Sequence, residues 1–169
     1  MAKKRLVYCV CAIVSLLLGS SFFPAIIPNH PGLSGTAMLA LAWVFIDGFE
    51  KSVAWLIFLG ILTDFLAGTT VGTHVITFVF IGYFASFLYR RLSVDMHGMG
   101  IIWVVFFVLA STLAMLLSAG LGGGLELKQM NLLFRRFDLG TFLVSYLLNL
   151  AIFALWYRLI KWMKKYYYF

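Results

Sequence analysis

Long apolar stretches run through almost the whole chain, broken by short clusters of polar residues, glycine and proline. Read for helical length, the pattern predicts helices at about 6 to 27, 33 to 47, 52 to 67, 71 to 89, 99 to 120 and 139 to 160. The second and third are short for a hydrocarbon core of roughly 30 Å. Only Asp47, Gly48, Phe49, Glu50 and Lys51 separate them, so one long broken helix is the alternative.

Composition narrows the class. With 63% apolar and 11% charged residues, the chain has too little polar surface to cover a soluble globule. The expectation is therefore an all-α polytopic membrane protein, residues 1–169 forming a single integral domain with six transmembrane helices and short connections. Charge orients it. Lys3, Lys4 and Arg5 precede the first span, and Arg158, Lys161, Lys164 and Lys165 close the last. Lys and Arg gather on the cytoplasmic side of short loops, so both termini are expected in the cytoplasm, with Lys51, Arg90 and Arg91 on the same side. The turns at 28 to 32 and 68 to 70 carry no Lys or Arg.

Lys128, Arg135 and Arg136 break that rule. They follow the flexible run Gly120-Leu121-Gly122-Gly123-Gly124, in a stretch at 127–137 whose helical reading puts Leu127, Met130, Leu133, Phe134 and Phe137 on one face. Lys128, Asn131, Arg135 and Arg136 lie opposite. That is the pattern of an interfacial helix, in which Lys128, Phe134, Arg135, Arg136 and Phe137 would dock on headgroups or an acidic partner. An ordinary external loop is the alternative. The first helix also resembles an export signal, with basic residues, an apolar core and small residues at Gly19 and Ser21. Cleavage there would leave five spans and lose the match of both basic termini to one side.

Candidate chemistry is sparse. Cys9 and Cys11 fall on different faces of one helix with no histidine beside them, and His30, His74 and His97 are scattered, so no metal site is expected. No nucleophile motif or phosphate loop is present, and neither enzyme activity, a cofactor nor nucleic-acid binding is expected. Asp47 and Glu50 are expected to be solvated in a tight turn with Lys51. Asn149, a lone amide in the last span, is expected to hydrogen-bond another helix.

The informative group is Asp64, a carboxylate inside an apolar run, where it is costly unless answered. Gly60, Asp64 and Gly68, at four-residue steps, drift only about 40° per step and form one stripe; small residues there let a neighbouring helix approach closely. Gly60, Asp64, Gly68, Gly72 and His74 are thus the expected packing seam, with Asp64 accepting from a partner helix or from the turn at Thr69, Thr70, Thr73 and His74. The alternative is an Asp64 hydrated at the outer boundary. A carboxylate near the C-terminal end of its own helix opposes the dipole and needs compensation, which favours the seam.

Gly48, then Gly60-Ile61-Leu62-Thr63-Asp64, then Gly72-Thr73-His74, in a small basic six-span chain with Pro24 after the first helix, resembles the MreD family of rod shape-determining membrane proteins. Ser52 and Leu56 stand where two further glycines of that pattern are expected. Ser20 or Ser21 replaces the usual polar residue before the first proline, and no acidic residue follows Pro31. The resemblance implies a non-catalytic component of the cell-elongation machinery in the bacterial inner membrane. Its partners would be MreC and, in the wider complex, RodA, a class B penicillin-binding protein and MreB, together with membrane lipid. It also implies a fold similar to the substrate-binding subunits of energy-coupling-factor vitamin transporters, which makes such a subunit the rival function. Those subunits commonly carry small residues four apart on the first helix, where this chain offers only Ser15 and Gly19, with Leu16, Leu17 and Leu18 between them. A channel or proton-coupled carrier would need several facing intramembrane ionisable groups, and only Asp64 qualifies.

Overall fold

The computed structural model of the chain describes residues 2–26, 32–91, 99–121 and 138–167. Among these it contains six helices and no strand: α1 (Ala2–Leu17), α2 (Gly35–Asp47), α3 (Phe49–Ala67), α4 (Thr73–Arg91), α5 (Met99–Leu121) and α6 (Leu139–Tyr167). A π-helical turn, Leu18–Phe22, continues α1 into a short α segment, Phe23–Ile26. Pro24 has no N–H to give the carbonyl of residue 20, so the i→i−4 ladder is interrupted where the π turn sits. By length and composition one helix among the described residues, Leu139–Tyr166, is apolar enough over a sufficient run to cross a membrane. The other apolar stretches, Val7–Phe22, Gly35–Asp47, Thr73–Phe87 and Ile102–Leu117, are shorter.

The break at 47–51 separates two helices, and it is a single residue wide. Gly48 adopts φ 81°, a conformation that side-chain-bearing residues avoid, and its N–H returns to the Val44 carbonyl at 2.9 Å. Phe49 then starts α3, three residues earlier than the expected 52. On the far side of the turn the Ser52 hydroxyl donates to the Trp43 carbonyl at 3.2 Å, which ties α3 back to the end of α2. At the other limit of the chain α6 runs on to Tyr167, past the expected 160, because Lys161-Trp162-Met163-Lys164-Lys165 contains no helix breaker.

The centre of the fold is α2. Its residues from Gly35 to Val44 are all buried, and it touches each of the other five helices. A helix apolar all round finds no solvent face and goes inside; Gly35, Ala37, Ala40 and Ala42 keep it thin enough for that crowding. At thirteen residues it is only about 20 Å long. The Ser34 side chain caps its start by accepting from the Ala37 N–H.

Neighbours are pinned along α2 at both ends. Near its start Asn149 of α6 accepts from the Ser34 N–H at 3.1 Å, and at its end Lys164 of α6 meets Asp47 at 2.5 Å, so the two helices run parallel. α1 runs the opposite way, with Tyr8 against Trp43 at 4.9 Å between ring centroids and Gly19 beside Thr36. Trp55 of α3 completes that aromatic cluster, 5.5 Å from Tyr8 and 6.0 Å from Trp43.

Outside this core the surface is apolar. Ile13, Phe58, Phe80, Leu113 and Leu147, on five different helices, all point outward and are exposed, while Ser111, Thr112, Ser145 and Asn149 are buried. Large outward apolar side chains on every peripheral helix are what a lipid environment requires and water penalises. Polar chemistry returns at Asp138, which caps α6. The Thr141 hydroxyl and N–H, and then the Gly140 N–H, donate to its carboxylate and hold its pKa below the ordinary value.

Candidate functional site

The expected seam lies in the α3–α4 hairpin. α3 ends at Gly68, which takes the left-handed conformation (φ 63°, ψ 24°), and the following Thr69 N–H returns to the Asp64 carbonyl at 3.2 Å. Thr70 and Thr73 then bond each other through their hydroxyls at 2.8 Å, and Gly72, at φ 110°, leads into α4. The start of α4 has a physical difficulty. Its first N–H groups need acceptors, and the residue that precedes it, Gly72, has no side chain to supply one.

Asp64 supplies it from the neighbouring helix. Oδ1 accepts from the His74 N–H at 3.0 Å, from the Thr69 hydroxyl at 3.0 Å and from the His74 ring Nδ1 at 2.7 Å. Oδ2 accepts from the Gly72 N–H at 2.7 Å. An ionised carboxylate only accepts, so the histidine proton sits on Nδ1. The arrangement is an N-cap in trans: the negative charge sits at the N-terminal end of α4, where the dipole favours it, which offsets its unfavourable place near the C-terminal end of α3. Asp64 is wholly buried, so the hydrated-boundary alternative does not describe it. Thr70 and Thr73, named among the possible donors, bond each other instead.

One turn earlier, Gly60 explains why the helices can come close enough. A Cβ placed there would lie 2.6 Å from the Val75 Cα and 2.7 Å from its N, so hydrogen is all that fits. Gly82 performs a similar service further down α4, but what it faces is the Leu56 Cδ1 at 2.8 Å, the end of a flexible side chain. Gly60, Asp64, Gly72 and His74 are thus brought together, though not in the roles a stripe suggests. Gly68 is a correction: it is exposed, has open space where a Cβ would go, and serves α3 by its positive φ instead of by packing. Gly72 likewise contributes a positive φ and an N–H, not a contact surface.

Two further polar clusters were only partly legible. Asn149, buried in α6, donates to the Gly32 carbonyl at 2.8 Å and the Thr112 hydroxyl at 2.9 Å while accepting from Ser34, joining α2, α5 and α6. The signal for it was an amide alone in an apolar helix; its partners, 37 to 117 residues away, were not readable. Asp47 overturns the expectation of a solvated turn. Its side chain is 4% exposed and pairs with Lys164, whose ammonium also reaches the Ile46 carbonyl at 3.3 Å. A cation at the C-terminal end of α2 answers the last carbonyls there and the helix dipole. Glu50 is exposed, as expected. Lys128, Phe134, Arg135, Arg136 and Phe137 lie outside the described residues.

Between α2, α4 and α5 a crevice lined by Ala37, Ala40, Phe78, Gly82 and Ser111 has room for about one water molecule. The family model described as rod shape-determining protein MreD matches residues 4–166. No curated protein and no solved structure matches the chain.

Proposed function

This chain belongs to the rod shape-determining MreD family, a family of membrane proteins not known as enzymes, and from that premise we propose that it is a non-catalytic inner-membrane component of the bacterial cell-elongation complex. In this reading it binds an MreC-like protein and, with RodA, a class B penicillin-binding protein and MreB in the wider assembly, helps position lateral peptidoglycan synthesis. The observation that carries the proposal is the extent of the family match, which takes in all six helices, together with the convergence of the motif residues on one hairpin. Every hydrogen bond drawn to Asp64 comes from within the hairpin. Its work is to hold α3 and α4 as a rigid unit whose outward side, with Phe58, Phe65, Ile76 and Phe80, is available to a partner helix.

All six helices are proposed to cross the membrane, with both termini cytoplasmic. Three observations support this layout. Tyr8, Trp43, Asp47 and Lys164 gather at one end of the bundle, the end that also carries Lys51 and the basic N-terminal turn. Asp64 and His74 lie at the far end of their helices from Lys51 and Arg91. The helices too short to reach across alone pack around α2 in a single unit. Likeness of the fold to energy-coupling-factor substrate-binding subunits is part of the same proposal. Their vitamin-binding function is not, because the family that matches the chain is a rod shape-determining one.

The test is rescue of rod shape in a strain depleted of its own family member, with co-purification of the MreC-like partner and immunoblotting of membrane levels. Gly60→Leu and Asp64→Leu are expected to lose both rescue and co-purification. Normal rods from both variants at normal protein level would remove the hairpin from the mechanism, and a wild-type chain that never co-purifies with the partner would remove the partner assignment.

A further inference from the structure

α6 is longer than the apolar surface it presents. Its outward residues Leu139, Leu143, Leu147, Leu155 and Leu159 are all exposed, and at 1.5 Å per residue the stretch from Leu139 to Leu159 covers about 30 Å, the thickness of a hydrocarbon core. The helix continues to Tyr167. Its last turns therefore stand at headgroup depth, and there the outward surface changes character. Trp162 and Tyr166, 54% and 59% exposed, lie against each other at 5.1 Å between centroids. Such amphipathic rings settle at the boundary between lipid and water.

Beside the ring pair runs a stripe of charge. Arg158, Lys161 and Lys165, at i, i+3 and i+7, fall within about 60° around the helix, and all are exposed. Lys164 is separate, turned inward onto Asp47 and the Ile46 carbonyl. Of the four cations in these turns, then, one serves the fold and three face out. No carboxylate among the described residues pairs with those three. Lys161 lies over the Tyr157 ring and Lys165 over the Tyr166 ring, each at 5.8 Å, contacts that fix the ammonium groups without neutralising them.

We infer that Arg158, Lys161 and Lys165 form a recognition site for the phosphate groups of anionic phospholipids, with Trp162 and Tyr166 setting its depth. The outward side of α6 ahead of the stripe, with Leu143, Leu147 and Leu155, is apolar, so lipid is the neighbour the stripe meets as it leaves the hydrocarbon. Outward-facing cations at that depth complement anionic phosphate, and they give no comparable advantage to a zwitterionic headgroup. The inference goes beyond the role in the elongation complex and stands or falls without it.

The experiment titrates the detergent-solubilised full chain with phosphatidylglycerol or phosphatidylcholine and counts bound lipids by native mass spectrometry. The wild type is expected to prefer phosphatidylglycerol. Each outward cation contributes about fivefold to that preference, so Lys161→Gln alone lowers it about fivefold and the triple variant Arg158→Gln, Lys161→Gln, Lys165→Gln lowers it about a hundredfold. The charge-preserving triple Arg158→Lys, Lys161→Arg, Lys165→Arg keeps it. A wild type with no preference for the anionic lipid overturns the inference, as does a triple variant whose preference is unchanged. If a poly-glutamate peptide binds the wild type in place of the anionic lipid, the stripe belongs to an acidic protein partner and the lipid assignment fails.

Discussion

Replacing Asp64 separates a trans cap from a merely buried polar residue, because its partners are all donors. In Asp64→Leu the N–H groups of Gly72 and His74 lose their acceptor, together with the Thr69 hydroxyl and the His74 ring. An unsatisfied buried donor costs about 1–3 kcal/mol, so the two N–H groups alone set a loss on the order of 2–6 kcal/mol; the Thr69 hydroxyl can rotate and the imidazole can change tautomer, and they add less. Asp64→Asn behaves differently. With the amide nitrogen at the Oδ2 position it faces the Gly72 N–H, and at the Oδ1 position it faces the His74 N–H. Either way one N–H group is stranded and the other kept, so the expected loss is about 1–3 kcal/mol, roughly half that of the leucine variant. The assay is denaturant unfolding of the purified chain in mild detergent, followed by tryptophan fluorescence, with the variants compared at one detergent concentration. The order wild type, Asn, Leu is the signature. A leucine variant as stable as the wild type, or an asparagine variant worse than leucine, would refute the cap.

Other substitutions probe the remaining contacts. Gly60→Ala is expected to destabilise by about 1–3 kcal/mol in the same assay, because the new methyl meets Val75 backbone, whereas Gly82→Ala meets the movable end of Leu56 and should cost clearly less. Equal effects would contradict the close backbone approach at Gly60. Lys164→Gln removes a cation from beside the nearly buried Asp47; since Lys164 is 43% exposed, the expected loss is modest, roughly 1–2 kcal/mol, and Asp47→Asn added to it should recover part. The Asp138 cap carries a lowered pKa, so its contribution is full above the unfolded-state value and is lost as pH falls through the folded-state value. Asp138→Asn should therefore flatten the acid side of the stability–pH profile. Cysteine labelling is expected to place residue 169 inside and Thr70 outside, and labelling of residue 169 from the outside would reject the proposed topology. Arg135→Glu with Arg136→Glu is expected to weaken capture of the MreC-like partner or binding to anionic vesicles while leaving insertion intact; if neither changes, that segment is an ordinary loop.

Hydrophobic patterning by itself determined that the chain is helical, roughly where each helix lies, and that Asp64 needed an answer. Those properties are local or nearly so: helix length follows from the apolar run, the break at Gly48 from a residue that tolerates positive φ, and the cost of a carboxylate from its apolar neighbours. The hairpin was legible for the same reason, since Asp64 and His74 lie ten residues apart and one turn of chain brings them together. Even there, four-residue spacing could not tell a glycine that packs from one that ends a helix, which is why Gly60 fits the expected stripe and Gly68 does not. Tertiary structure decided the long-range pairings: α2 as the enclosed centre, Asn149 joining three helices, and Asp47 held by Lys164 across 117 residues of chain. Which polar groups in an apolar fold find each other depends on how the helices pack in three dimensions, and no periodicity within one helix carries that information.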